Sequence, residues 1–222
     1  MPIDATIFKA YDIRGLYGSQ IDGDTAEQIG RAFVRVLAAM SDKPAADLGI
    51  GLGRDMRLTA PELAARYRAG MVAEGAHVMD AGQVGTEMLY YLVGSRDLDG
   101  GLMCTASHNH KAYTGAKLVR RGALALSGEE GINDIRDLIQ AGLVALTECA
   151  QRHVGPGEDG FAAYAKMRVR GAMVDLIRRT VLLGATWVDE GGVMQVRARD
   201  KIFRVEDLKG KKIGITKSLN TI

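Results

Sequence analysis

Cysteine is scarce in this sequence: Cys104 and Cys149 are the only two among 222 residues. Two cannot build a disulfide framework, and without a C-x-x-C pair nothing suggests zinc. An excess of one charge sign is also missing: the net is +2, so no overall basicity argues for a nucleic-acid partner. No segment approaches 18 uninterrupted apolar residues, which argues against a spanning helix and a membrane role. Met1-Pro2-Ile3-Asp4 lacks the basic stretch and apolar run of a secretory signal. Internal repeats and low-complexity tracts are absent too. What is present is ordinary globular composition, 47% apolar and 25% charged, which sets aside collagen-like, disordered and coiled-coil classes. The expectation is a soluble, cytoplasmic α/β protein with one generous domain or two small ones.

The charge is unevenly spread. Residues 1–165 carry 16 basic and 21 acidic side chains, a net of −5, whereas 166–222 carry 13 and 6, a net of +7. Such a swing suggests a partner-binding tail or two segments of different origin. Just before it, Val154-Gly155-Pro156-Gly157-Glu158-Asp159-Gly160 reads as a linker, since its glycines and proline oppose regular structure.

Over the first 150 residues, strands alternate with amphipathic helices. Asp24-x-x-Glu27 reads as a capping box before Ile29, Phe33, Val36, Leu37 and Met40 at helical spacing. Leu48, Ile50 and Leu52 alternate as a strand does, up to Gly53-Arg54-Asp55. A second box, Thr59-x-x-Glu62 with Pro61, opens a helix that closes near Gly75. His77–Met79 is expected as a short strand, Thr86 as the cap of a brief helix through Tyr91, and Leu102–Cys104 and Gly115–Val119 as strands. Ser127-x-x-Glu130 opens a third boxed helix ending by Gly142. The alternation predicts a three-layer αβα sandwich with a mixed sheet over 1–150, then a linker and connecting helix over 151–181 and a short β-containing extension over 182–222.

Function in such sheets sits in loops beyond the strand ends, here 10–15, 53–57 and 105–115. In the third, Ser107 follows an apolar strand within a run of hydrogen-bonding side chains. Ser107 and His108 are not a catalytic dyad by adjacency, because in extended backbone neighbouring side chains point to opposite sides. The stretch also lacks a G-x-S-x-G elbow, and on chemistry alone it reads as a polar turn. Without a further signal Arg14 and Lys117 read as solvated surface charges, and Tyr11 as an aromatic at the core edge with its hydroxyl wet. Arg54, Asp55 and Arg57 divide evenly between a structural loop network and a phosphate role. Cys104 reads as a buried small hydrophobe, and His77 and His153 have no partners at metal-ligand spacing. Gly49-x-Gly51-x-Gly53 is not a dinucleotide fingerprint, because Arg54 stands at the third glycine's place. Asp22-Gly23-Asp24 reads as a turn and a cap, without the later ligands of a calcium loop.

Thr105-Ala106-Ser107-His108-Asn109 followed by Gly115-x-Lys117 resembles the active-site serine loop of the α-D-phosphohexomutases, the phosphomannomutase/phosphoglucomutase family. Phe8–Gly15, Gly53-Arg54-Asp55-x-Arg57 and Asp80-Ala81-Gly82-x-Val84-x-Thr86 match in order, so the resemblance covers the family's first domain. One departure lies inside the motif: His110 stands where the family usually has proline, which would fix φ there. The resemblance implies that Ser107 carries a phosphoryl group exchanged with a hexose phosphate between C1 and C6. It further implies Arg14, Lys117 and His108 as catalytic groups and Tyr11, Arg14 and Lys117 as substrate-binding, with Tyr11 and His108 orienting the site. Mg²⁺ would bind the phosphoserine oxygen, so the only metal contact from this chain is Ser107 through its phosphate, and a hexose 1,6-bisphosphate is the implied activator. A serine hydroxyl is a weak nucleophile that must lose its proton as it receives phosphate, and Lys117 either moves that proton or neutralises charge.

The family's members are four-domain proteins, about twice this length by that analogy. Neither D-G-D-G-D-R nor G-E-x-S-G-H occurs in this sequence. The chain is therefore expected to be incomplete or chimeric, with little turnover alone. After about residue 182 the sequence changes character, and Val205-Glu206-Asp207-Leu208-Lys209-Gly210-Lys211-Lys212-Ile213-Gly214-Ile215-Thr216 resembles a segment of periplasmic-type sulfonate-binding and sulfinate-desulfinase proteins. A solvated hairpin-like extension is the alternative there. Three readings of function follow: a phosphohexomutase or its amino-terminal part, a non-catalytic phosphosugar-binding module, and a sulfonate-type binding protein defined by the tail. A phosphorylated hexose is the expected partner, and self-association is expected through surface that further domains would cover.

Overall fold

The structure, a computed structural model, describes residues 3–152, 158–181, 186–189 and 192–195. Six strands, β1 (Ile13–Leu16), β2 (Gly49–Arg54), β3 (His77–Gln83), β4 (Gly100–Cys104), β5 (Tyr113–Arg120) and β6 (Leu124–Ala125), form one sheet in the order β1-β5-β4-β2-β3, with β6 on β5. β2 runs parallel to β3 and β4, while β5 is antiparallel to β4 and β1, so the sheet is mixed. The helices are α1 (Gly23–Ser41), α2 (Ala60–Ala73), α3 (Thr86–Ser95), α4 (Ile132–Arg152) and α5 (Glu158–Val181).

Alternation along the central strands decides what each face meets. Ile50, Leu52, Leu102, Cys104, Ala116 and Leu118 point into one core with Phe33 and Leu37 of α1, Leu63 and Tyr67 of α2, and Ile135 and Ile139 of α4. Val119 points the other way, to Val93 and Leu98 beside α3. The glycines of β2 belong to that second face: a Cβ at Gly51 would lie 3.3 Å from both Leu89 and Val93, and one at Gly53 2.9 Å from Val84. They seat α3 close against the strand rather than cradling a nucleotide. The αβα sandwich is thus present, built on β2 and β4, which are buried on both sides.

Several local expectations fail at element ends. The cap of α1 is Asp22, whose carboxylate accepts from the Thr25 N–H at 2.8 Å; Glu27 instead bonds Arg31, so Asp24-x-x-Glu27 is not a capping box. Thr59 precedes α2 but has helical dihedrals and caps nothing. Thr86 is the first residue of α3 rather than its cap, the helix runs on to Ser95, and β3 extends to Gln83. Ser127 accepts from the Glu130 N–H within a turn, and α4 starts later at Ile132 and runs through Gly142 to Arg152. Gly142 lies where α5 crosses, its would-be Cβ 2.9 Å from the Met173 methyl, so there the glycine serves packing instead of ending a helix. The predicted linker is shorter than expected, because α5 already begins at Glu158. Thr186–Asp189 and Gly192–Gln195 pair as an antiparallel hairpin, β7 and β8. The rest of 182–222, including Val205–Thr216 with its resemblance to binding proteins, lies outside the described residues, as does His153.

Candidate active site

The loops after β2 and β4 meet at the carboxyl end of β4, with Arg14 of β1 beside them. The chain leaves the strand at Cys104, and Thr105 still donates its N–H to the Gly115 carbonyl at 3.0 Å, keeping the start of the loop in register with β5. Ala106 is fully buried, after which the chain turns outward at Ser107 with φ +54. This left-handed conformation is unfavourable for a residue with a Cβ. Ser107 is exposed, just beyond the carboxyl end of β4.

The turn also overturns one expectation. Because Ser107 is not extended, its side chain and that of His108 fall on the same side, and Ser107 Oγ lies 3.4 Å from His108 Nδ1. That separation is long for a hydrogen bond, but it sets the imidazole beside the hydroxyl.

Asp55 and Arg57, on the loop after β2, hold the serine loop from beneath. Thr105 Oγ1 donates to Asp55 Oδ2 at 2.7 Å and itself accepts the Ser107 N–H at 2.9 Å. Arg57 donates through Nε to Asp55 at 3.2 Å, through Nη1 to the carbonyls of His110 (3.1 Å) and Tyr113 (3.2 Å), and through Nη2 to those of Ser107 (3.0 Å) and Asn109 (2.7 Å). Of the two readings left even by the sequence, these bonds favour the structural network. Arg54 stands apart, reaching Gln83 at 3.3 Å.

The first loop contributes Arg14 from β1. Its Nη1 donates to Asn109 Oδ1 at 2.8 Å and its Nη2 to the Asp12 carboxylate. It is a half-buried, anchored cation rather than a solvated one. Arg14 pairs with Gly115 across β1 and β5, and Lys117 stands two residues further along β5 opposite Met103, so Arg14 and Lys117 share one face of the sheet. A Cβ at Gly115 would lie 1.9 Å from the Ile13 carbonyl, so only glycine lets the two strands meet there. Tyr11 is 69% exposed, off the core edge where an aromatic was expected.

His110 takes up the place of the usual proline with hydrogen bonds. Its Nδ1 accepts from the Ala112 N–H at 3.2 Å, and its carbonyl accepts from the Tyr113 N–H at 2.9 Å. Cys104, beneath the loop, is buried as expected. Burial, helped by the Asp55 charge, pushes its thiol up to about 12.

Thr105, Asn109 and Asp12 were given no role from sequence. Asp12 stands two residues before Arg14, just ahead of β1, and that nearness is the one local signal available. A magnesium ion, implied by the resemblance, is not matched by the residues present. Among the described residues no three His, Cys, Asp or Glu side chains gather as a metal would need. The two carboxylates in the site's network, Asp12 and Asp55, are each engaged by an arginine.

Known proteins share the sequence and fold of this part of the chain. The family model "Phosphoglucomutase/phosphomannomutase, alpha/beta/alpha domain I" matches residues 5–143. A phosphomannomutase of Vibrio cholerae is 40% identical over 137 residues, 62% of this chain and 29% of that protein. One of Escherichia coli strain K12 is 43% identical over 136 residues, 61% of this chain and 28% of that protein. Among solved structures, a phosphoglucomutase/phosphomannomutase family protein of Burkholderia thailandensis superposes with a TM-score of 0.57 at 36% identity, covering 62% of this chain and 30% of that one. The chain spans under a third of the length of each of these three.

Proposed function

The chain belongs to the phosphoglucomutase/phosphomannomutase family through its α/β/α domain I, and from that premise we propose that it supplies the phosphoserine-bearing domain of a phosphohexomutase. The observation that carries this reading is Ser107 itself, an exposed serine on a loop whose backbone is fixed by Arg57 and whose Asn109 is tied to Arg14.

The transfer balances simply. Ser107 Oγ forms a bond to the phosphorus of one phosphate of a hexose 1,6-bisphosphate as the sugar oxygen–phosphorus bond breaks. The serine proton ends on the departing sugar oxygen, and Lys117 is the group offered to move it. Arg14 presents its remaining N–H donors to phosphate oxygens, and positioning with charge neutralisation is most of what such a transfer asks of a protein. Tyr11, on the first loop, is offered to the sugar. Magnesium would add charge neutralisation, but the described residues do not hold it.

The test is intact-mass measurement of the chain after incubation with glucose 1,6-bisphosphate, with the phosphate mapped by peptide fragmentation. A phosphate on Ser107 that disappears in Ser107→Ala and passes to added glucose 1-phosphate supports the reading. No adduct at saturating bisphosphate overturns it. The chain alone is expected to turn over little hexose 1-phosphate in a coupled assay, since neither D-G-D-G-D-R nor G-E-x-S-G-H occurs in its sequence.

A further inference from the structure

We propose, building on Ser107 as the phosphoryl carrier, that Asp55 and Arg57 are its positioning residues: an internal ion pair that fixes both ends of the Ser107 backbone and so aims its hydroxyl, without touching the phosphoryl group.

A guanidinium has five N–H groups in a rigid fork. In Arg57 one goes from Nε to Asp55, two from Nη1 to the carbonyls of His110 and Tyr113, and two from Nη2 to those of Ser107 and Asn109. None is left for a phosphate, although the residue stands one loop away from the serine and carries the right charge. Its partner completes a ring. Asp55 accepts from Thr105 Oγ1, and Thr105 Oγ1 accepts from the Ser107 N–H. The N–H of Ser107 is therefore tied to this ion pair through Thr105, and its C=O is tied directly.

That ring accounts for the left-handed φ of +54 at Ser107. A serine does not hold such a conformation unless its surroundings over-determine it, and here a carboxylate and a guanidinium do so from 50 residues away. With the N–H turned inward and already engaged, the Ser107 amide is not a donor to its own phosphate. The charge of a phosphoserine then falls to Arg14, Lys117 and His108. Arg57 acts as a resident cation in a cradle of four carbonyls, the kind of site a small free cation of the same shape can refill.

The experiment uses the chain with Arg57→Gly, alone and with millimolar guanidinium chloride, far below denaturing concentration. Two quantities are read: hydrogen exchange of the Ser107 amide by NMR, and the rate at which glucose 1,6-bisphosphate phosphorylates Ser107. Arg57→Gly is expected to lose the protection of the Ser107 amide and to slow phosphorylation on the order of a hundredfold, as a misplacement of about 1 Å does. Guanidinium should restore both, whereas Arg57→Lys should restore neither, because one ammonium cannot span four carbonyls and a carboxylate. An unchanged amide in Arg57→Gly overturns the proposal, as does a loss that guanidinium does not repair. Should Arg57→Gly not fold, Thr105→Val removes the acceptor of the Ser107 N–H and leaves the ion pair in place. Faster exchange at Ser107 is expected there, and unchanged exchange overturns the proposal. Hydrogen exchange needs no phosphoryl donor, so wild-type protein that is never phosphorylated counts against the mutase reading alone.

Discussion

The Arg14 guanidinium donates to the Asn109 side-chain oxygen at 2.8 Å across 95 residues of sequence, with the Asp12 carboxylate on its other side. Two of its five N–H groups are thereby spent on orientation and the others stay available to an anion. Arg14→Ala should remove an anchored, charge-assisted donor of the kind worth about 1.5–3 kcal/mol. Phosphorylation of Ser107 by glucose 1,6-bisphosphate should slow by roughly ten- to a hundredfold. Arg14→Lys should recover little of this, because an ammonium cannot bond Asn109 and also offer a planar fork. A lysine variant as fast as wild type would mean that charge alone is used.

Gly30 and Gly70 bring the backbones of α1 and α2 into direct contact. A Cβ on Gly30 would lie 2.3 Å from the Tyr67 carbonyl and one on Gly70 2.1 Å from the Glu27 carbonyl. Backbone cannot move aside as a side-chain tip can, so either alanine should force the helices apart at a cost of about 1–3 kcal/mol. Gly94 in α3 has nothing within 4 Å of its would-be Cβ, and Gly94→Ala should instead gain roughly 0.5–1 kcal/mol from helix propensity. Urea denaturation midpoints moving in opposite directions would confirm both.

Much of the fold was legible because alternation and helical spacing are local. Ile50 and Leu52, or Ile29 and Phe33, declare their faces without reference to anything distant. Caps were less legible, since Asp22, Asp24, Thr59 and Ser127 are all plausible by composition and tertiary packing decides where a helix starts. Within the site, Ser107 and Arg14 could be picked out through resemblance. The work of Arg57 could not, because it binds carbonyl oxygens, which every residue has. The His108 contact was missed for a related reason: the sign of φ at Ser107 is imposed by Asp55 and Arg57 and leaves no trace at residues 105–109.

Asp22 gives α1 a pH-dependent cap. The Thr25 N–H holds its carboxyl below the ordinary value, a pull that the partial burial of the group only partly opposes. A carboxyl lowered on folding contributes stability above its unfolded value, and that contribution is lost as pH falls through the folded value. Asp22→Ala should therefore cost about 1 kcal/mol at neutral pH, and the gap to wild type should close as pH drops below roughly 4. Asp22→Asn should keep the cap at every pH, because an amide oxygen accepts without titrating. Denaturation curves of the three proteins at neutral and acid pH separate these outcomes.

Cys104 reports whether the serine loop is closed. Its thiol lies beneath the loop, held up at about 12 first by burial and then by the Asp55 charge, with Arg54 and Arg57 pulling the other way. At pH 8 the reactive thiolate is only about one part in ten thousand, so iodoacetamide should modify Cys104 only in denaturant, as peptide mapping can show. Arg57→Gly sets two effects against each other. Losing the guanidinium removes a charge that lowers the thiol, which would slow labelling, while an opened loop would admit water and reagent and speed it. Because burial is the larger cause, access should dominate, and Cys104 should label faster in Arg57→Gly than in wild type. Slower labelling would mean that the loop stays shut without its arginine, and that Ser107 is held by something other than the ion pair.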